Sequence, residues 1–200
     1  MGYTNAVGRA YDTLFVTQNG TLPIDPFATI RNRGWNLFTY SQFATDVNDL
    51  KSVLNISKDA FSFFSDGNYT IVSIEHLPEN EQRFALAHEI AHIELEHFHN
   101  AANTLQFTKD SLRHPSNYKN IEHEANTYAY SYLCPASLLN ICKFTMTELQ
   151  KIFKIPAEAA AYVLLHMNED LDHINAKTDA MIKEMYIPAL RPHYFYPYHE

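Results

Sequence analysis

Basic residues are scarce in this chain: 15 lysines and arginines stand against 23 aspartates and glutamates, a formal net charge of −8 at pH 7. A protein that grips nucleic acid regardless of sequence carries a basic face, so this balance argues against direct nucleic-acid binding. It leaves a basic protein open as a partner. Cysteine is scarcer still. Cys134 and Cys142, the only two, cannot staple a chain of 200 residues and stand at no metal-finger spacing, so both read as reduced core thiols. No apolar run approaches bilayer length and no charged-then-apolar signal segment opens the chain, so no membrane association is expected and the cytoplasm is the expected location. Met1–Gly2 begins like an acylation signal, but Ala6 stands where serine or threonine is required. Internal repeats, low-complexity tracts and linkers are also missing. What is plentiful is core material: 46% of residues are hydrophobic, with 13 tyrosines and 13 phenylalanines, enough for one domain over residues 1–200.

Helical periodicity opens and closes the sequence, with a short β region between. Ala6 to Val16 reads as a helix with Ala10 and Leu14 on one side. Leu22 to Pro26 reads as a loop leading into a helix that Gly34 stops after Arg33. Trp35 to Tyr40 alternates as a strand does, and Ser41 is placed to cap a helix running to about Leu54. Ala60 to Ser65 and Tyr69 to Glu75 are β-branched or aromatic runs around Asp66–Gly67–Asn68, a hairpin signal. From Asn103 to Lys119 periodicity is lost, and His114–Pro115–Ser116–Asn117 marks a loop. The C-terminal part, from about residue 136 to about Tyr186, is helical in pattern. Within it, Thr147 to Met167 has a helix–turn–helix look, but the sparse basic residues of its second helix favour plain packing over DNA reading. The tail Pro188 to Glu200 is rich in aromatics and proline and is expected as an extended arm on its own domain. Docking on a second subunit, as in a homo-oligomer, or lying across a cleft are its functional alternatives.

Five residues stand out against this frame. His88–Glu89–Ile90–Ala91–His92 places two imidazoles four apart, on one face of a helix, where both reach a single metal ion. Glu89 sits beside the position such an ion leaves open, where a general base must stand to deprotonate a water. Neither proline nor glycine interrupts Glu79 to His99, and Pro78 with Asn80 makes a helix start. Two structural histidines on a core helix are the alternative, a costly one because both imidazoles and the glutamate would need buried partners.

A zinc hydrolase site needs a third protein ligand. The metzincin pattern would continue with glycine at 95 and histidine at 98, where Leu95 and Phe98 stand, so that class is excluded. His97 and His99 lie off the face shared by His88 and His92 and read as solvated residues near a helix end. Asn120 to Tyr132 reads as a second helix on which Glu122 and Asn126 are one turn apart. A carboxylate ligand followed one turn later by a group that orients a metal-bound histidine is a known arrangement. Glu122 is the expected third ligand and Asn126 the orienting residue. Glu124 and His123 compete for the ligand role, and a solvated acidic helix start is the alternative.

The run RFALAHEIAHIELEH, followed by IEHEANTYAYSYLCP, resembles the ImmA/IrrE-type metallopeptidases, gluzincin-like proteins with an HExxH motif and a downstream glutamate. Their usual patterns are RFTxAHExGHxxLHH and ExEANxFAAxLLMP. Leu22 to Gly34, the strand Thr70 to Ile74 and the stretch Met146 to Met167 are similar to the family's opening, hairpin and closing helices. The resemblance therefore covers most of residues 1–167. Carried over position by position, it implies His88, His92 and Glu122 as ligands of Zn2+ and Glu89 as the catalytic base. Among the positions where the chain departs from the pattern are Ala85, Ala91, Glu96 and Cys134. None of these is a ligand, so the departures bear on substrate preference.

The expected fold is α+β and zincin-like, a small antiparallel sheet packed on the HExxH helix. An edge strand from Ala60–Ser65 or Thr70–Glu75 would hold an extended peptide by ladder hydrogen bonds. Tyr128, His114 and Tyr118 are candidate donors to a tetrahedral oxyanion, with core tyrosine or loop histidine as the plainer identity of each. Asn103 to Lys119, between the two metal-bearing helices, is the expected lid. The expected activity is that of a zinc-dependent endopeptidase with a narrow protein substrate. The resemblance implies a DNA-binding transcriptional repressor, cut to relieve repression in phages, mobile elements or stress responses. A non-hydrolytic regulatory binding protein with the same fold and metal, and a toxin–antitoxin component, are the other readings.

Overall fold

Helix α1 (Gly2–Thr17) opens the chain, and the computed structural model describes residues 2–45, 59–97 and 115–195. Ala6, Val7, Ala10, Tyr11 and Leu14 form its fully buried stripe, the spacing a helix laid against a core demands. In α2 (Pro26–Arg33) Asp25 is the N-cap, accepting from the Phe27 N–H at 3.0 Å, and Pro26 takes a first-turn position where no donor is missed. Gly34, at φ 70°, ends it as the sequence predicts. The loop between α1 and α2 presses on the last helix of the chain. A Cβ on Gly20 (φ 79°) would stand 2.2 Å from the Met185 carbonyl oxygen.

The β region is a three-stranded sheet in the order β1-β3-β2, built from β1 (Asn36–Thr39), β2 (Ala60–Ser65) and β3 (Asn68–Ser73). Asp66 and Gly67 both have positive φ, which makes the two-residue turn that closes the β2–β3 hairpin in the register Ser65↔Asn68 to Ala60↔Ser73. The expected antiparallel sheet is thus correct for this hairpin and wrong for β1. That strand joins β3 in parallel, Asn36 opposite Thr70 and Thr39 opposite Ser73. A long connection carries the chain from β1 past β3 to β2, and such a crossover is what parallel pairing needs. The helix expected from Ser41 is also corrected: Thr39 is the cap, through a capping box with Gln42, and α3 (Tyr40–Phe43) ends at once. The rest of that expectation, from Asp46 on, lies outside the described residues.

Helix α4 (Glu79–Glu94) carries the HExxH residues, with Glu79 and Glu81 in its first turn, where negative charge suits the helix dipole. Its apolar residues Leu86, Ala87, Ile90, Ala91 and Ile93 are buried, and the Arg83 guanidinium donates to the Ile24 carbonyl, tying α4 to the loop before α2. One side of α4 meets β2 and β3; the other meets α5 (Pro115–Leu133), which in turn lies along α1. The expected loop to Lys119 therefore stops at residue 114 at the latest. Pro115 heads α5, a position where its missing donor costs nothing. The remainder of the expected lid lies outside the described residues.

The C-terminal part is helical: α6 (Ala136–Leu139), α7 (Met146–Phe153), α8 (Ala157–Asp172) and α9 (Ala176–Phe195). Thr145 and Glu148 form a capping box at the head of α7, whose Leu149, Ile152 and Phe153 are buried. The expected extended arm is corrected from Pro188 to Phe195, since α9 continues through Pro188 and Pro192 to Phe195; its remainder, residues 196–200, lies outside the described residues. Both prolines are solvent-facing, so the carbonyls their missing N–H groups leave free meet water, while Leu190 between them is buried. Among the described residues, no helix is long and apolar enough to cross a membrane.

Candidate metal and active site

Helical spacing brings His88 and His92 onto one face of α4, and their Nε2 atoms stand 3.0 Å apart. From α5, the Glu122 carboxylate reaches both, Oε2 lying 3.3 Å from His88 Nε2 and Oε1 lying 3.6 Å from His92 Nε2. The three residues form a candidate metal site whose ligand atoms all lie within 4.8 Å of one another. The donor set fits a divalent cation. Two ligands of a tetrahedral zinc, each at roughly 2.0–2.1 Å, stand about 3.3 Å apart. The observed separations bracket that distance.

The outer ring atoms are also engaged. With Nε2 turned inward as a lone pair, each neutral imidazole carries its proton on Nδ1. His88 Nδ1–H then donates to Asn126 Oδ1 at 2.9 Å, one turn along α5 from Glu122. His92 Nδ1 meets His97 Nδ1, also at 2.9 Å. Burial drives the His92 pKa well below the ordinary range, and the facing His88 and His97 add to the effect. A neutral His92 is the form a metal ligand must have. His88 moves upward. Burial disfavours its charged form, but Glu122, Glu89 and Asn126 outweigh that.

Glu89, one residue on from His88, points to the sheet. It is buried, and its Oε2 accepts a 2.5 Å hydrogen bond from the Ser62 hydroxyl on β2. Burial raises its pKa, while His88 and the Ser62 hydroxyl pull the other way. Ser62 is absent from the sequence-based reading. Its signal was a small polar residue between the aromatics Phe61 and Phe63, at an alternate position shared with buried Ala60.

The remaining candidates divide. Glu124 turns to His97, with Oε2 at 3.5 Å from Nε2, and stays outside the group of three, as does His123, which is exposed. Tyr128 is corrected as an oxyanion donor. It lies 200° around α5 from Asn126 by the helical repeat of ~100° per residue. That turn buries it completely, stacked on Tyr132 with its hydroxyl toward Thr13 and Glu94. His97 is corrected too. Far from solvated, its side chain is only 6% exposed. Tyr118 lies near the start of α5, and His114 lies outside the described residues.

No match was found among curated proteins. A family model, the peptidase M78 or IrrE N-terminal-like domain, matches residues 44–165. That span contains Ser62, the whole of α4 and every residue of the candidate site. With more than half of its length matched, the chain belongs to the IrrE N-terminal-like domain family of peptidases.

Proposed function

We propose that this protein is a zinc-dependent endopeptidase of zincin-like fold that cleaves a specific protein, a DNA-binding repressor, and so relieves repression. The observation that carries the reading is the convergence of His88, His92 and Glu122 beside a buried Glu89. His88, His92 and Glu122 would hold the ion. When bound, zinc supplies a Lewis acid that activates a water and polarises a carbonyl. The chain does the rest. Glu89 accepts the water's proton and returns it to the leaving amine, with the Ser62 hydroxyl holding its carboxylate in place. Asn126 fixes the tautomer and angle of His88.

Substrate binding falls to β2, an edge strand of the sheet as described. The Ile74 N–H bonds to the Asp59 carbonyl, so Asp59, Phe61 and Phe63 bond toward β3, and the backbone groups of Ala60, Ser62 and Phe64 turn outward. An extended peptide added there would run past Glu89. The acidic net charge suits a basic substrate such as a DNA-binding protein.

The test pairs metal content with cleavage. Purified protein should carry about one zinc per chain, lost in His88→Ala, His92→Ala and Glu122→Ala. Glu89→Gln should keep the zinc and cleave a DNA-binding repressor substrate at least about a hundredfold more slowly. Stoichiometric zinc in the His88→Ala/His92→Ala double variant would refute the site. If Glu89→Gln still relieves repression in cells while the ligand variants do not, binding without hydrolysis replaces this reading.

A further inference from the structure

Helix α4 ends in an unusual way. Glu94 is its last residue, Leu95 caps it, and Glu96 turns left-handed at φ 58°. Two backbone bonds close the end: Glu96 N–H to the Ile93 carbonyl and His97 N–H to the His92 carbonyl, both at 3.0 Å. This is the Schellman pattern, in which the second residue beyond the cap folds back over the third residue from the helix end. In most proteins the two residues so brought together are apolar, and glycine takes the left-handed position. Here they are His97 and His92, and their Nδ1 atoms meet at 2.9 Å. His97 Nε2 in turn lies 3.5 Å from Glu124 Oε2 on α5.

We propose that His97 and Glu124 are positioning residues for the metal site, holding the His92 ring in its ligand orientation. The inference rests on His92 being a ligand, as the proposed function has it. Given that, every hydrogen in the chain has one place. His92 presents the Nε2 lone pair to the metal, so Nδ1–H donates to His97 Nδ1. His97 then carries its own proton on Nε2, which lies within ion-pair range of the Glu124 carboxylate at 3.5 Å without a direct hydrogen bond to it. Helix α5 thereby supports both histidines of α4: Asn126 supports His88 directly, and Glu124 supports His92 through His97. The burial of the His97 side chain is what makes the contact directional, because water does not compete freely for either ring nitrogen.

The experiment measures zinc affinity of the full-length protein by competition with a chromophoric chelator, with the visible spectrum of the cobalt-substituted form as a second readout. His97→Ala should still bind one zinc at saturation, with affinity lower by roughly ten- to a hundredfold, the usual effect of removing a group that orients a ligand. Its cobalt bands should shift as the His92 ring relaxes. His97→Asn, whose Oδ1 takes the place of Nδ1 as acceptor, should recover most of the affinity. Glu124→Gln should cost less than Glu124→Ala. Circular dichroism checks folding; if His97→Ala fails to fold, His97→Asn and the two Glu124 variants decide. A wild type that binds no zinc overturns the metal reading itself. Zinc bound normally by the wild type and equally well by His97→Ala and Glu124→Ala overturns the relay alone. Loss of all stoichiometric zinc in His97→Ala would make it a ligand, and that also overturns the proposal.

Discussion

Ser62 and Glu89 make the shortest contact in the site, 2.5 Å between a hydroxyl and a carboxylate, both buried. A hydrogen bond to a charged group in such surroundings is worth more than a neutral one and fixes the acceptor's rotamer. Ser62→Ala should therefore lower kcat roughly tenfold, about the worth of one such bond. KM and zinc content should stay unchanged, and Ser62→Thr should recover activity. Steady-state kinetics beside metal analysis check this, and an unchanged kcat would reduce Ser62 to a packing residue. Residue by residue, the legible part was the local chemistry. The pair His88 and His92 follows from a spacing of four, and Glu122 with Asn126 from the same spacing on a second helix. Ser62 and His97 were not legible because their partners come from a strand and from a chain reversal, and no spacing along the sequence encodes either. Tyr128 shows the converse. It stands two residues from Asn126 in the sequence, but that half turn of helix puts it in the core.

Two helix-flanking positions test how the elements are held. A side chain at Gly20 would need a left-handed backbone and would collide with the Met185 carbonyl, a backbone atom that cannot step aside. Gly20→Ala should destabilise by roughly 2–5 kcal/mol, the sum of the left-handed and overpacking costs, read by denaturant unfolding. Glu96 gives the opposite sign. It is an exposed non-glycine residue at φ 58°, in the slot where glycine is usual. Glu96→Gly should leave stability equal or raise it by up to about 1 kcal/mol, with zinc affinity retained. A clear loss of stability would mean that the Glu96 side chain, rather than the backbone turn, holds the end of α4. Gly34 and Asp66–Gly67 were readable in advance and act where their chemistry predicts, whereas the helix start at Asp25–Pro26 falls inside the segment read as a loop. The end of α4 was not readable either, because nothing in Leu95–Glu96–His97 announces a left-handed residue.

For the whole molecule, the change of most consequence is at the C-terminus. An extended arm could have covered the cleft; a helix with Leu190 in the core is part of the fold. Removing residues after Ile187 should lower Tm by roughly 5–10 °C, from the lost burial of a leucine and its neighbours. Cleavage of an unrelated unfolded protein such as casein should not increase. Faster casein digestion by the truncated protein would restore the arm as a gate. The family match begins at residue 44, yet α1 lies along α5 and buries Ala6, Val7, Ala10, Tyr11, Thr13 and Leu14 completely. The N-terminal helix is thus structural support for the helix that carries Glu122.

Sequence alone determined the parts of this protein that depend on neighbours within a turn or two. Those are the HExxH face, the Glu122–Asn126 pair, the β2–β3 hairpin and the α+β class, because helical and strand periods and turn chemistry are local. Tertiary structure decided the rest. It set the parallel placement of β1, left β2 at an edge of the sheet as described, gave Ser62 its hold on Glu89, kept Glu124 out of the group of three and folded His97 back onto His92. Each of these joins groups far apart in the chain or turns on a single backbone angle. Such contacts follow from how whole elements bury their apolar faces against one another, and that is a property of the packed molecule rather than of any segment in it.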